Sequence, residues 1–449
     1  MLIKLNARRR LNFCILTSIF CILSSCSLQK QISKSVSPFV LNDSSLKTAH
    51  VGISIYEPAA NKYWFNYQGE HYFTPASNTK IPTCYAAMRY LGDSLEGALK
   101  METDTAIFIL PTGDPTLLHP DFKNQPVISF LKNATKKIYI TDLLWKDHPL
   151  GSGWSWDDYN DSYMAERSPM PVYGNIIKWT QENNGIDPSV VYSTPEVNWQ
   201  VDFDTAQASN FFVQRSVAEN HYTITEGKEK LKEQEVPFVT NGISAALELL
   251  PDTIHKTISL ATGYQRLFLD RSVRETTIHS QPTHSVLKPM MHRSDNFFAE
   301  QVLLMVAHKF NISMSDERVI DTLLKTIFKD LPQKPGWVDG SGLSRYNLFS
   351  PKDLVFILNK MKNDFGMERI KNLFPSGNEG TLANYYVSES GSIFAKTGTL
   401  SGVIALSGFL YTKKNKLLIF SVLVNNHNSS ATRVRRAVEK FIHTIRERY

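Results

Sequence analysis

The end of the sequence constrains the fold most, because two apolar runs and an amphipathic segment follow one another there. The runs SGVIALSGFLYT (401–412) and KLLIFSVLVNN (416–426) are separated by a lysine-rich turn, as in a β-hairpin. In the next segment, apolar side chains recur at helical spacing on one stripe, with the arginines expected on the solvated face: Val434, Ala437, Val438, Phe441, Ile442 and Ile445. The pattern predicts a helix packed on an antiparallel sheet.

A second strand pair and a helix are indicated near residue 50. VGISIY (51–56) and KYWFNY (62–67) are apolar runs joined by the turn-like EPAANK, and SNTKIPTCYAAMRYLG (77–92) has helical character up to Gly92. Several short strands, such as TAIFIL (105–110), follow in the middle of the chain. The sequence therefore predicts an α/β (α+β) fold, in which an antiparallel sheet is flanked by helices.

The length of the chain indicates more than one domain. A chain of 449 residues is long enough for about two or three domains. The regions that resemble an α/β body are 48–95 and 235–449, and the region between them is rich in short strands and turns. We therefore predict one domain built from these two regions and a β-rich insertion at 96–234.

The first 26 residues differ in kind from the rest. A basic start (Lys4 and 8–10) precedes the short apolar run LNFCILTSIFCIL, which ends in LSSC. This ending resembles the lipobox of bacterial lipoproteins, so we predict a signal peptide at 1–26, lipid attachment at Cys26 and a serine-rich flexible tether at 27–47. A plain signal peptide or an N-terminal membrane anchor is the alternative, although the run is short for a span of about 20 residues.

Composition argues against several classes of function. The leader holds four positive charges and no acidic ones, so without it the formal net charge falls from +6 to +2, which gives nucleic-acid binding no support. The twelve histidines lack paired-ligand spacing, so we expect no metal and no other cofactor. Outside the leader the chain has one cysteine, Cys84, which is expected in the core.

The stretch FTPASNTKIPT (73–83) holds a candidate nucleophile, because Ser77 stands three residues before Lys80. A serine hydroxyl needs a nearby base to take its proton, and on a helix this spacing puts the lysine one turn away on the same face. The same spacing also occurs at Ser44, Ser129 and Ser285. The spacing alone therefore assigns no function.

Two later motifs give the spacing its meaning. S-D-N follows at 294–296, 217 residues after the first serine, and K-T-G at 396–398. S-x-x-K, S-D-N and K-T-G, in that order, are the motif set of penicillin-binding proteins and active-site serine β-lactamases. With VDGSGLSRYN (338–347) and GNEGTL (377–382), residues 48–449 resemble the D-alanyl-D-alanine carboxypeptidase/endopeptidase family, the low-molecular-mass class C penicillin-binding proteins. The resemblance implies a β-lactamase/transpeptidase-like domain with a large insertion after the first motif.

The resemblance implies an acyl-enzyme mechanism on peptidoglycan stem peptides. Ser77 would be the nucleophile and Lys80 its base, Ser294 would relay a proton to the leaving amine, and Asn296 would hold the substrate amide or the lysine itself. To act as a base, Lys80 must be neutral, which burial or the positive field of Lys396 would favour.

The K-T-G motif is implied to bind the end of the substrate. Lys396, with the hydroxyl groups of Thr397 and Thr399 on either side of Gly398, suits the free carboxylate of a terminal D-alanine. The backbone N–H groups of Ser77 and Thr399 would form the oxyanion hole.

The segment GSGWSWDDYNDSY (151–163) resembles a part of the family's insertion that meets the diaminopimelate side chain of the stem peptide. Carried over, Asp158 would face the ammonium group of that side chain, with Trp156 against its aliphatic part. Arg345 would face the carboxylate, which a guanidinium can bind bidentately. The alternative is that Asp157 and Asp158 cap a turn and Arg345 pairs locally.

Three other functions stay open. A β-lactamase shares the nucleophile, although no E-x-x-L-N segment lies between Ser77 and Ser294 to position a water. A penicillin-sensing domain would need transmembrane signalling segments, and a non-catalytic muropeptide binder would not need every motif residue.

The leading interpretation implies two kinds of ligand, peptidoglycan stem peptides and β-lactams. It also implies a periplasmic protein attached to the membrane by lipid. The outer membrane is favoured because Ser27 stands where the aspartate associated with inner-membrane retention would be.

Overall fold

The structure is a computed structural model that describes residues 40–183, 189–204, 209–262, 275–310 and 312–449, together with Ile32 and Lys34. The predicted signal peptide, Cys26 and most of the predicted tether lie outside the described residues.

Runs of strands and runs of helices follow one another in the described parts of the chain. The strands are β1 (His50–Glu57), β2 (Lys62–Tyr67), β3 (Ser94–Glu102), β4 (Ala106–Pro111), β5 (Lys137–Ile140), β6 (Ile176–Glu182), β7 (Val190–Thr194), β8 (Gln200–Asp204), β9 (Phe212–Arg215), β10 (His221–Thr225), β11 (Leu231–Pro237), β12 (Ile258–Leu260), β13 (Glu275–Pro282), β14 (Ile393–Leu400), β15 (Val403–Tyr411) and β16 (Leu417–Asn425). The α-helices are α1 (Lys80–Tyr90), α2 (Pro126–Asn133), α3 (Ser244–Ile254), α4 (Thr283–His292), α5 (Asn296–Lys309), α6 (Asp316–Lys325), α7 (Pro351–Leu373) and α8 (Ala431–Arg448).

The chain forms two compact units, each assembled from separate stretches of sequence. The first unit takes the described residues up to Asn78 together with Leu331–Pro335 and Leu348–Tyr449. The second unit contains Thr79–Asp330 and Gly336–Asn347.

The first unit is built on a five-stranded antiparallel sheet in the order β14-β15-β16-β1-β2. The predicted hairpin is confirmed as β15 and β16, and β1 pairs with β16 from His50 opposite Asn425 onward. The predicted helix is α8, and its apolar stripe lies in one core with sheet residues such as Ile404 and Leu406. Helix α7 begins with Ser350 and Asp353 capping each other's backbone N–H groups.

The second unit contains three sheets and most of the helices. Its five-stranded sheet has the order β12-β5-β4-β3-β13, and two three-stranded sheets have the orders β11-β6-β7 and β8-β10-β9. Aromatic side chains hold part of its core together, with Tyr222 in contact with Trp179 and Trp199. Helix α5 is buried along nearly its whole length, which suits its apolar sequence.

The structure confirms the predicted α/β (α+β) class, with an antiparallel sheet flanked by helices. The boundaries predicted for the insertion, 96–234, stay a prediction. Strand β3 begins at Ser94 and pairs with β13, which lies beyond the predicted end of the insertion.

Two negative observations apply to the part of the chain that the structure describes. No helix there is both long enough and apolar enough to cross a bilayer. The same residues contain no cluster of three or more His, Cys, Asp or Glu side chains arranged to hold a metal ion.

Candidate active site

Ser77 lies in a 3₁₀ turn, Ala76–Thr79, that leads directly into α1. The helix therefore begins at Lys80, three residues later than the sequence indicated, and Pro82 falls in its first turn, where the backbone needs no N–H donor. Ala76 has a φ of 46°, in the left-handed region that side chains with a Cβ rarely adopt. The candidate nucleophile thus follows a locally strained residue.

The first unit brings the Ser77 segment and the K-T-G motif together. The Asn78 side-chain Nδ2 donates a hydrogen bond of 2.9 Å to the carbonyl oxygen of Lys396, on β14. At Gly398 a Cβ would lie 2.7 Å from the carbonyl oxygen of Pro75, so a larger residue would push the strand away. The strand therefore needs glycine to lie against the segment before Ser77.

Hydroxyl groups on β14 have partners in the same unit. Thr397 Oγ1 donates to Thr381 Oγ1 at 2.8 Å, and Thr399 Oγ1 accepts a hydrogen bond of 2.8 Å from Arg435 Nη2, on α8. Lys396 is fully buried, and its Nζ donates to the carbonyl oxygen of Thr397 at 2.9 Å. Sequence reasoning missed Arg435, because the arginines of this helix were expected on its solvated face.

The second unit holds Lys80 in a fully buried position. Its Nζ donates hydrogen bonds to Asn296 Oδ1 at 2.6 Å and to the carbonyl oxygen of Ser341 at 2.7 Å. Burial lowers the pKa of Lys80 to about 8, although the carboxylates of Asp339, Glu300 and Asp295 act in the opposite direction. Lys80 can therefore be neutral near physiological pH.

The S-D-N motif forms the start of α5. Ser294 has a φ of 64°, and the Asp295 carboxylate caps the helix by accepting from the Phe298 backbone N–H at 3.0 Å. Asn296 is the first residue of the helix, and its Nδ2 donates to the carbonyl oxygen of Tyr163 at 3.0 Å. The cap and this second contact fix the amide whose oxygen binds Lys80.

The D-G-S-G segment presents the Ser341 carbonyl to Lys80. Buried Asp339 accepts hydrogen bonds from four donors: Gly342 N, Ser344 N, Asn347 Nδ2 and Trp154 Nε1. At Gly340 a Cβ would lie 2.6 Å from the carbonyl oxygen of Ala299, so glycine lets the segment lie against α5. Asp339 therefore acts as the structural centre of this turn.

The residues predicted to bind diaminopimelate lie in neighbouring segments of the second unit. Asp158 is the last residue of the 3₁₀ turn Trp156–Asp158. Burial and the nearby Asp158 carboxylate raise the pKa of the Tyr163 hydroxyl. Arg345 is exposed, and its backbone N–H donates to the carbonyl oxygen of Gly153 at 3.3 Å. Their roles toward a substrate stay predictions.

Sequence reasoning missed Glu300, which lies one turn after Asn296 on α5. Its side chain is 1% exposed, and Oε1 accepts a hydrogen bond of 2.7 Å from the Ser341 backbone N–H. An acidic residue inside the otherwise apolar run FFAEQVLLMVA was the available signal.

The fold and these motifs define a class, the serine acyl-transfer enzymes that carry S-x-x-K, S-D-N and K-T-G. Residues 32–445 match the D-Ala-D-Ala carboxypeptidase 3 (S13) family, so the chain belongs to this family. It is a serine-type D-Ala-D-Ala carboxypeptidase, and the resemblance found in the sequence is confirmed.

Relatives match the chain over most of its length. D-alanyl-D-alanine carboxypeptidase DacB of Haemophilus influenzae is 23% identical over 411 residues, which are 82% of this chain and 84% of that protein. D-alanyl-D-alanine carboxypeptidase of Actinomadura sp. (strain R39) is 23% identical over 436 residues, 87% of this chain and 80% of that protein. The crystal structure of penicillin binding protein 4 from Haemophilus influenzae has a TM-score of 0.71 at 20% identity, covering 92% of this chain and 98% of that one.

Proposed function

We propose that this carboxypeptidase forms an acyl-enzyme at Ser77, releases terminal D-alanine from peptidoglycan stem peptides and also cleaves the cross-links between them. The observation that carries the proposal is the environment of Lys80, a buried lysine held by Asn296 and the Ser341 carbonyl. A neutral amine has two N–H groups and one lone pair. Burial favours the neutral form of Lys80, so this lone pair can serve as the base.

The reaction then runs in two stages. Lys80 takes the proton of the Ser77 hydroxyl, and the Ser77 oxygen attacks the carbonyl carbon of the penultimate D-alanine. The backbone N–H groups of Ser77 and Thr399 hold the oxyanion that forms on this carbonyl. Ser294 then relays this proton from Lys80 to the leaving amine as the peptide bond breaks, which returns Lys80 to its neutral form. A water molecule then hydrolyses the ester on Ser77 and restores the enzyme.

The terminal carboxylate of the substrate is assigned to Lys396 and to the hydroxyl groups of Thr397 and Thr399. Gly398 keeps β14 close to the segment that carries the nucleophile. The Arg435 guanidinium donates to Thr399 Oγ1 and so adds positive charge beside the proposed carboxylate site.

Further along the stem peptide, the diaminopimelate side chain is assigned to Asp158 and Arg345. Trp156 is 75% exposed, which is unusual for so large an apolar side chain and suits a surface that covers the aliphatic part of a ligand.

The carboxypeptidase and endopeptidase reactions can be tested together. A pentapeptide muropeptide and a cross-linked dimer are incubated with the enzyme, and D-alanine release and dimer cleavage are followed by mass. We expect both products, with Ser77→Ala as the inactive control. Release of D-alanine without dimer cleavage would overturn the endopeptidase part.

A β-lactam is expected to acylate the same serine, since its ring carbonyl mimics the D-Ala-D-Ala amide. We expect a fluorescent penicillin to label the protein covalently and Ser77→Ala to abolish the label. Label retained in Ser77→Ala would exclude Ser77 as the nucleophile.

We also propose that the protein is a periplasmic lipoprotein, anchored through Cys26 to the outer membrane. The L-S-S-C ending and Ser27 support this assignment. Cys26→Ser should abolish incorporation of labelled fatty acid and release the protein from the membrane fraction. Unchanged labelling of that variant would contradict the anchor.

A further inference from the structure

Glu300 is linked to Lys80 through the backbone of one residue. The Ser341 N–H donates to Glu300 Oε1 at 2.7 Å, and the Ser341 carbonyl oxygen accepts from Lys80 Nζ at 2.7 Å. Both charged side chains are fully or almost fully buried. A shift of Glu300 would therefore move the carbonyl group that holds the proposed base.

Buried charges surround Glu300 on its other side. Arg167, 1% exposed, lies between Asp316 at 2.6 Å, Asp147 at 3.2 Å and Glu300 Oε2 at 3.6 Å. Within the described residues Glu300 Oε2 accepts no hydrogen bond. Three carboxylates thus share one guanidinium, which leaves Glu300 less than fully compensated.

The charge of Glu300 also acts on Lys80. The charged groups that act on Glu300 are Asp339, Arg167 and Asp316, and Glu300 in turn acts on Lys80. Burial and the Asp339 carboxylate raise the pKa of Glu300 to about 8, and an ionised Glu300 in turn stabilises the charged form of Lys80. The two groups are therefore placed to influence each other's proton.

We propose that Glu300 is a positioning residue of the carboxypeptidase reaction, which fixes the Ser341 carbonyl against Lys80 and controls how readily Lys80 becomes neutral. This inference rests on the proposed role of Lys80 as the base. If Glu300 served only to stabilise the fold, its replacement would lower the melting temperature without changing how the reaction depends on pH.

The chain offers a matched control in Gln301, the next residue on α5. Gln301 is also fully buried. Its side chain donates to the carbonyl oxygens of Gly113 and Ser168 and accepts from the Ser168 N–H, and none of these three hydrogen bonds includes Lys80. Gln301→Leu therefore removes buried hydrogen bonds from the same helix without touching Ser341.

The experiment measures the rate constant for acylation by a fluorescent penicillin across the pH range, with the melting temperature of each variant. We expect Glu300→Gln to bring the plateau of the profile to lower pH, because the fraction of Glu300 that ionises near pH 8 no longer holds Lys80 in its charged form. Glu300→Ala should lower the rate constant about 10- to 100-fold, the effect of losing one hydrogen bond to a charged group. Gln301→Leu should lose stability but keep the wild-type profile.

Two outcomes would overturn the inference: a Glu300→Gln profile that superimposes on the wild type, or an equal shift in Gln301→Leu. Since Glu300→Gln keeps the size of the side chain, it carries the test if Glu300→Ala does not fold. If penicillin labels Ser77 and the Glu300→Gln variant keeps the wild-type pH profile, only this inference is contradicted. Failure to label Ser77 would contradict the proposed function.

Discussion

Lys80, the proposed base, is the residue whose chemistry burial changes most directly. A lysine ordinarily keeps its ammonium group in water, yet this one is fully buried and donates to Asn296 Oδ1 and to the Ser341 carbonyl oxygen. The free-energy cost of burying the charge lowers the pKa of Lys80 to about 8. The neutral amine is therefore accessible without a second base to remove its proton.

The pH dependence of acylation follows from this pKa. If Lys80 must be neutral to accept the serine proton, the rate constant rises about tenfold per pH unit below pH 8 and levels off above it. Stopped-flow measurements with a penicillin test this profile. Lys80→Ala should lower the rate about 100-fold or more and remove the rising limb. A rising limb that survives in Lys80→Ala would assign the base to another group.

The identities of the motif residues could be predicted from the sequence, but their electrostatic setting could not. Ser77, Lys80 and Lys396 stand in recognisable motifs, whereas the contact of Glu300 with Ser341 depends on how two distant segments pack. A sequence shows where an acid lies, not whether it is buried.

At the scale of elements, the helices and strands with a clear apolar period were predictable. KYWFNY became β2 at the predicted residues, and the stripe on α8 is buried as expected. The pairing of β3 with β13 was not predictable, because no local pattern specifies a partner so far along the chain. The contact of Arg435 with Thr399 was missed because the arginines of α8 were expected on its solvated face.

Helix α8 is expected to contribute to substrate binding through Arg435. Arg435→Ala removes the donor to Thr399 Oγ1, so KM for a peptide ending in D-alanine should rise about two- to tenfold, the range for one ordinary hydrogen bond. Arg433→Ala, an exposed arginine of the same helix, is the control. The difference should vanish for a peptide that ends in D-alanine amide. An equal rise with the amide would show that Arg435 does not act on the carboxylate.

The turn that carries Asp158 is expected to select the stem peptide. Asp158→Ala should weaken turnover of diaminopimelate-containing stems by about 1–3 kcal/mol, as for a lost hydrogen bond to a charged group. Penicillin acylation should stay nearly unchanged, because penicillin lacks that side chain. Asp157→Ala, an exposed neighbour in the same turn, is the matched control. Equal losses on both ligands would make this turn structural.

At the scale of the whole molecule, what the chain does after acylation separates a carboxypeptidase from a β-lactamase. No E-x-x-L-N segment lies between Ser77 and Ser294 to position a water for rapid deacylation. We therefore expect the penicilloyl-enzyme to persist and nitrocefin to be hydrolysed only slowly. Rapid catalytic hydrolysis of nitrocefin would identify a β-lactamase activity.

The pairing of β1 with β16 constrains the order in which the protein can fold during its synthesis. Glu57, at the end of β1, meets Lys416 in an ion pair across 359 residues of chain. A ribosome makes the first strand long before its partner exists, and long-range pairing of this kind forms slowly. The sheet beside the candidate nucleophile can therefore close only after the final strand has been synthesised. Until then the apolar strand β1 is open to aggregation, so the yield of folded enzyme depends on how quickly the rest of the chain is synthesised.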